Sequence, residues 1–126
     1  MNTDEHRLNL ISEKIIGCAF EVSNQLGCGF LEKVYQNALL IELKNTGLQV
    51  EKEKQIQVHY KNQVVGDYFA DILVNKIIIL EIKAVKSLNE VHQAQLLNYL
   101  KATTLPLGLL INFGTPKVQI KRMLNG

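Results

Sequence analysis

Residues 77 to 85 read IIILEIKAV. The unbroken apolar start, Ile77 to Leu80, is the pattern of a central strand covered on both faces, and it requires a sheet with helices packed against it. The same segment then turns charged at Glu81 and Lys83, where the buried strand would be expected to continue. Side chains alternate faces along a strand, so Glu81 and Lys83 project from one face, about 7 Å apart. A further carboxylate, Asp71, precedes them on the other side of an Asn75-Lys76 turn.

The rest of the chain supplies the covering layers. Leu8, Ile11, Ile15, Cys18, Ala19, Val22 and Leu26 recur at intervals of three and four, which predicts a helix over about residues 4–26, with Thr3 as N-cap. The GCG stretch at 27–29 stops it. A second apolar helical face runs through Leu31, Val34, Tyr35, Ala38, Leu39 and Leu43, and Gly47 reads as its C-terminal cap. From Val50 the period becomes two. Residues 55–61 predict a half-exposed strand, 61–63 a turn and 64–74 a second strand, in which Gly66 marks a bulge or a close approach. After the strand at 77–85, Ser87 reads as N-cap of a helix over 88–102, which Pro106 keeps from continuing. Residues 107–114 predict another buried strand and 118–124 a final edge strand. The order is α-α-β-β-β-α-β-β. It implies one α/β domain over residues 1–126, a mixed sheet of about five strands flanked by three helices, with an antiparallel meander followed by a parallel β-α-β pair.

Composition narrows the function classes. Aromatic residues make up 6% of the chain and tryptophan is absent, which argues against a broad stacking platform for single-stranded bases. A formal charge of +2 falls short of a dedicated nucleic-acid binder. Lys117, Lys121 and Arg122 are candidates for a local basic patch, or for a solvated strand end. Cys18 and Cys28 make no disulfide framework. His6, His59 and His92 are scattered, and no Cys/His spacing suggests zinc. There is no signal-peptide pattern and no apolar run approaching ~20 residues, so a cytoplasmic protein without membrane spans is the expectation. Nucleotide-binding glycine loops and nucleophilic serine motifs are absent, and GCG is too short for a phosphate loop.

The carboxylates remain. In a symmetric hairpin about Asn75 and Lys76, Asp71 lies opposite residue 80, and a slip of one residue sets it beside Glu81. Two converging carboxylates near a sheet end suit a hard divalent cation such as Mg²⁺, which takes oxygen ligands and often only one or two carboxylates. Without a cation the arrangement is costly, since like charges repel and burial penalises both. A solvated Glu-Lys pair at a strand end is the plain alternative. Glu32, in the first turn of the second helix, is explained on periodicity alone as an acid favoured by the helix dipole.

At these residues the chain resembles the PD-(D/E)xK nuclease superfamily, with its restriction-endonuclease-like core: Asp71 on the second strand and EIK on the third, Ala70 replacing the usual proline. Residues 29–35, GFLEKVY, resemble the pattern that names the GxxExxY branch, with Gly29, Glu32 and Tyr35 in the named positions. QLLNYL, residues 95–100, is similar to the Q-x-x-x-Y element of RecB-like nucleases, with Gln95 and Tyr99 one helical turn apart. The resemblance implies metal ligation by Asp71 and Glu81, with the backbone carbonyl of Ile82 as a third candidate. Lys83 would position or activate the attacking water. Glu32 would hold a metal-bound water or a second metal. Gln95 would bind near the metal or contact the substrate; Tyr99 would do so too, although a packed tyrosine explains it as well. Gly29 would permit a close turn into the helix. The implied activity is Mg²⁺- or Mn²⁺-dependent hydrolysis of nucleic acid, DNA first. The alternative is a non-catalytic module that keeps the fold and binds nucleic acid or another partner. The edge strand at 118–124 offers a surface for a homodimer.

Overall fold

The apolar centre organises the molecule as its pattern requires. The computed structural model describes residues 3–126. They form α1 (Thr3–Leu26), α2 (Glu32–Asn45), β1 (Val50–Tyr60), β2 (Gln63–Val74), β3 (Ile78–Lys83), α3 (Glu90–Thr103), β4 (Leu107–Asn112) and β5 (Gln119–Leu124). The five strands lie in the order β1-β2-β3-β4-β5. The β3–β4 pair is parallel and the β1–β2, β2–β3 and β4–β5 pairs are antiparallel. This is the α/β, mixed-sheet architecture expected. No helix of the described residues is long and apolar enough to cross a membrane.

Alternation divides the core into two layers. Ile78, Leu80 and Ile82 of β3, with Leu107, Leu109 and Ile111 of β4, pack against Ile15, Leu39 and Leu43 of α1 and α2. Ile79 and Leu110 turn to the other side and meet Leu96, Tyr99 and Leu100 of α3. Each such side chain contributes about 1.5–3 kcal/mol on burial. Glu81 and Lys83, in phase with Ile79, therefore face the α3 layer.

Local chemistry sets the boundaries. At the end of α2, Gly47 takes φ 84°. Its amide donates to the Lys44 carbonyl at 3.0 Å and the Leu48 amide to the Leu43 carbonyl at 3.2 Å, the paired bonds of a Schellman stop. Two expected caps are corrected. Thr3 is already inside α1. The cap of α3 is Asn89 and not Ser87: its side chain accepts the His92 amide at 3.1 Å while His92 Nδ1 accepts the Asn89 amide at 3.3 Å. That reciprocal box satisfies two otherwise orphaned donors, which a lone serine does not. The two basic residues of the last strand do not share a face either. Lys121 and Arg122 are neighbours in β5 and point to opposite faces. Arg122 donates to Asn9 Oδ1 at 2.9 Å and Ser12 Oγ at 3.4 Å on α1.

The loop that leaves β3 is held by a buried amide. Asn112, 0% exposed, donates to the Val85 carbonyl at 2.9 Å and to Gln119 Oε1 at 3.1 Å, and accepts the Val85 and Gly114 amides at 3.0 Å each. Gly114 lets this loop close in, since a Cβ there would fall 2.2 Å from the Val85 carbonyl oxygen. By contrast, a Cβ on Gly17 in α1 would meet nothing within 4 Å. Urea unfolding is therefore expected to show Gly114→Ala destabilising by about 1–3 kcal/mol and Gly17→Ala stabilising by roughly 1 kcal/mol. A neutral Gly114→Ala would refute the close approach.

Candidate active site

The register between β2 and β3 decides where the acids meet. Asn75 and Lys76 both take the left-handed conformation, with φ of 50° and 58°. Ile77 joins the turn, so the first pair is Val74 with Ile78, followed by Leu73 with Ile79 and Ile72 with Leu80. This is the one-residue slip, and it makes Asp71 and Glu81 the next residues in line. The ladder stops at that point. Asp71 Oδ2 accepts the Ile82 amide at 2.7 Å, and the Asp71 carbonyl accepts Gln36 Nε2 of α2 at 2.9 Å. A side chain and a helix thus take over hydrogen bonds at the point where β2 and β3 stop pairing.

The pleat of β2 also changes phase at this residue. Ala70 packs in the α3 layer and Tyr68 lies against Tyr99, yet Ile72 and Val74 pack under α1 and α2. Across the strand pair, the register passes from Lys54↔Ala70 to Lys52↔Ile72 over Glu53, whose φ is 53°. Such a break in alternation re-aims the side chain at the irregularity, and here that side chain is Asp71, directed at the edge of β3.

Glu81 is 4% exposed. Burial, the Asp71 charge and a hydrogen bond to the Asp71 side chain push its pKa up to about 9, against the opposing charge of Lys83 and a backbone hydrogen bond from Asp71. Lys83 is half-buried on the same face, and its carbonyl accepts the Phe113 amide at 2.8 Å. Ile82 sits between them with its side chain in the α1–α2 layer, paired with Ile111. Tyr99 feels the pair too. Burial, then the charges of Glu81 and Asp71, then Tyr68 push its hydroxyl up to about 12. Tyr99 therefore packs in the core, in one cluster with Ala70 and Ile79, and feels the charge of the acids.

The motif residues of the second helix divide their work. Gly29 has φ 119°, open to glycine and strained for other residues. Tyr35 is 0% exposed, donates to the Gly27 carbonyl at 2.6 Å and accepts the Phe30 amide at 3.2 Å. Its ring stacks on Phe113 with centroids 4.7 Å apart. Tyr35 thus fastens the α1–α2 loop to the end of the sheet where Lys83 lies. Glu32 opens α2 and is exposed. It stands one turn before Gln36 on the same helix face. Among the described residues no three His, Cys, Asp or Glu side chains come together as a metal-holding group, so the structure brings Asp71 and Glu81 together without Glu32.

Gln95 is exposed and lines, with Tyr99, Tyr68 and Asn98, a groove of about 790 Å³ between α3 and the β1–β2 hairpin. Neither Asp71 nor Glu81 lines it; Tyr99 lines it and shares a core cluster with Ala70 and Ile79, which flank the acids along β2 and β3.

Three residues escape the sequence reading. Gln36 and Asn112 are buried polar side chains, 4% and 0% exposed. A glutamine one turn after Glu32 and three residues before Leu39, on the buried face of α2, was the available signal for the first. Asn112 interrupts an apolar strand and was visible in the same way. Tyr68 gave no signal, because its partner is set by tertiary packing.

The raised pKa has a sign. Below Glu81's ordinary value of 4.5 both folded and unfolded chains hold the proton. Between 4.5 and about 9 the unfolded chain has released it and the folded chain has not, so stability falls as pH rises through that window. In EDTA, wild type is expected to lose at least ~5 °C of Tm relative to Glu81→Gln between these limits. Parallel Tm profiles for the two proteins would contradict a buried, repelled Glu81.

The model of the PD-(D/E)XK nuclease superfamily matches residues 9–123. No curated protein matches. Among solved structures, the alkaline exonuclease LHK-Exo from Laribacter hongkongensis superposes with a TM-score of 0.56 at 14% identity, covering 100% of this chain and 73% of its own. The crystal structure of SSO0001 gives a TM-score of 0.55 at 24% identity over 73% of this chain, which spans 48% of that protein. Both likenesses concern the fold. With the family match covering almost the whole length, from within α1 to within β5, the chain belongs to the PD-(D/E)XK nuclease superfamily.

Proposed function

We propose that this chain is a divalent-metal-dependent nuclease that hydrolyses phosphodiester bonds, with DNA as its first candidate substrate. The observation that carries the reading is the pair Asp71 and Glu81, set side by side by an interrupted ladder with Lys83 on the face of Glu81. Burial and like charge both disfavour an ionised Glu81. A divalent cation converts both penalties into ligation, and an all-oxygen donor set of two carboxylates fits Mg²⁺ or Mn²⁺. When bound, such an ion supplies Lewis-acid charge stabilisation to a phosphoryl group and acidifies water.

Within this reading, Asp71 and Glu81 hold the ion, with the Ile82 carbonyl as third candidate ligand. The amide of Ile82 fixes the Asp71 carboxylate, and Gln36 fixes its main chain. Lys83 orients the attacking water. Glu32, a turn before Gln36, would act on an outer water or a second ion. The Gly29, Glu32 and Tyr35 spacing supports assignment to the GxxExxY branch.

Labelled single- and double-stranded DNA and RNA should be cleaved with Mg²⁺ or Mn²⁺ and left intact in EDTA. Asp71→Asn, Glu81→Gln and Lys83→Ala should each cost at least about 100-fold in rate while remaining folded. Glu32→Gln should cost less than the ligand substitutions. Mn²⁺ should raise the Tm of wild type and not that of Glu81→Ala. Nucleic-acid binding without metal-dependent cleavage of any substrate would leave a non-catalytic module in place of the enzyme.

A further inference from the structure

The groove along α3 has a chemistry of its own. It lies between the outer face of α3 and the β1–β2 hairpin, which runs on past the end of the β2–β3 pairing. Its lining holds Lys101, His59, the amides of Gln95 and Asn98, and the rings of Tyr68 and Tyr99. None of the lining residues is a carboxylate. The two tyrosine rings stand 5.7 Å apart at 44°, and Tyr68 is 47% exposed. Tyr68 thus leaves about half of its surface open to solvent while its ring is held in a tilted pair with Tyr99. Gly66 is part of the mounting, since a Cβ there would come within 3.0 Å of the Tyr68 ring. Tyr99 also shares a core cluster with Ala70, the residue before Asp71, and with Ile79, two positions before Glu81 on the same face of β3.

We infer that this groove seats a single unpaired nucleic-acid strand, with Tyr68 stacking on a base and Lys101 meeting a phosphate, so that the strand enters the Asp71–Glu81 site unpaired. The inference rests on the nuclease reading for its direction and adds the strandedness of the substrate. The volume of about 790 Å³ is in the range of a pocket for a drug-sized ligand, the scale of a short stretch of one strand. Stacking on an aromatic ring tolerates any base, because every base has a π-face. Amide side chains donate to and accept from base edges, including the Watson–Crick edges that only an unpaired strand exposes. His59 stands on the hairpin wall opposite the helix that carries Lys101 and completes an acid-free lining.

The test is anisotropy of end-labelled single-stranded DNA, single-stranded RNA and blunt DNA duplex in EDTA, where cleavage is absent. Wild type should bind a single strand at least tenfold more tightly than duplex, with the DNA and RNA arms showing which sugar is preferred. Tyr68→Ala should lose roughly tenfold in single-strand affinity and Tyr68→Phe should retain it. Lys101→Gln should weaken binding and lower the salt slope by about one unit. Tyrosine fluorescence should be quenched on binding in wild type and less so in Tyr68→Ala. Preference for duplex, or wild-type affinity in a folded Tyr68→Ala, would overturn the groove assignment even if Glu81-dependent cleavage is found. Tyr68-dependent single-strand binding without cleavage would uphold the groove and remove the nuclease reading.

Discussion

The hydrogen bond from the Ile82 amide to the Asp71 carboxylate is the contact on which the site depends. It replaces a ladder bond at the place where β2 and β3 part, 2.7 Å long and at the sheet's centre. A strand end inside a sheet must satisfy its amides somewhere. Here a carboxylate does so, and the same act fixes that carboxylate next to Glu81. The other unpaired group, the Asp71 carbonyl, is met by Gln36, which ties α2 to the same residue. One interrupted ladder therefore sets the position of Asp71, its orientation and its neighbour.

Most of the architecture was readable because periodicity reports burial directly. The change from intervals of three and four to two at Val50, and the unbroken run at Ile77, delimit the helices and the central strand. The parallel β3–β4 pair follows from the helix between those strands. What the pattern did not carry was register. The symmetric turn about Asn75 and Lys76 sets Asp71 against residue 80, and only the inclusion of Ile77 in the turn moves it to Glu81. Register at a turn is fixed by backbone dihedrals of single residues, which hydropathy does not encode. The cap of α3 failed for a related reason: Ser87 and Asn89 are both good caps, and the reciprocal bond with His92 decides between them.

The candidate site was readable in part. Asp71, Glu81 and Lys83 stood out as charge in a buried segment, and the structure gathers them. Gly29 and Tyr35 were named by motif, and their geometry gives the motif a cause: a left-handed glycine and a buried phenol bonded across the loop from Gly27 to Phe30. Glu32 is the residue this clamp presents at the start of α2. The place of Gln36 on the buried face of α2 is legible in the sequence, but its role depends on a carbonyl partner 35 positions away, which the helical pattern does not carry.

Alternation in β3 separates two demands that a small sheet must meet at once. Ile78, Leu80 and Ile82 belong to the hydrophobic cluster under α1 and α2. Glu81 and Lys83 belong to the α3 face, where Tyr99 and the groove lie. Burial of the even residues holds the strand in place, and the odd residues are then free to carry charge that would be intolerable in the other layer. Ile82 belongs to both, with its side chain in the core and its amide on Asp71. A substitution that shifts the packing of Ile82 must therefore move a carboxylate on the opposite strand, which couples the quality of the α1–α2 core to the geometry of the acids.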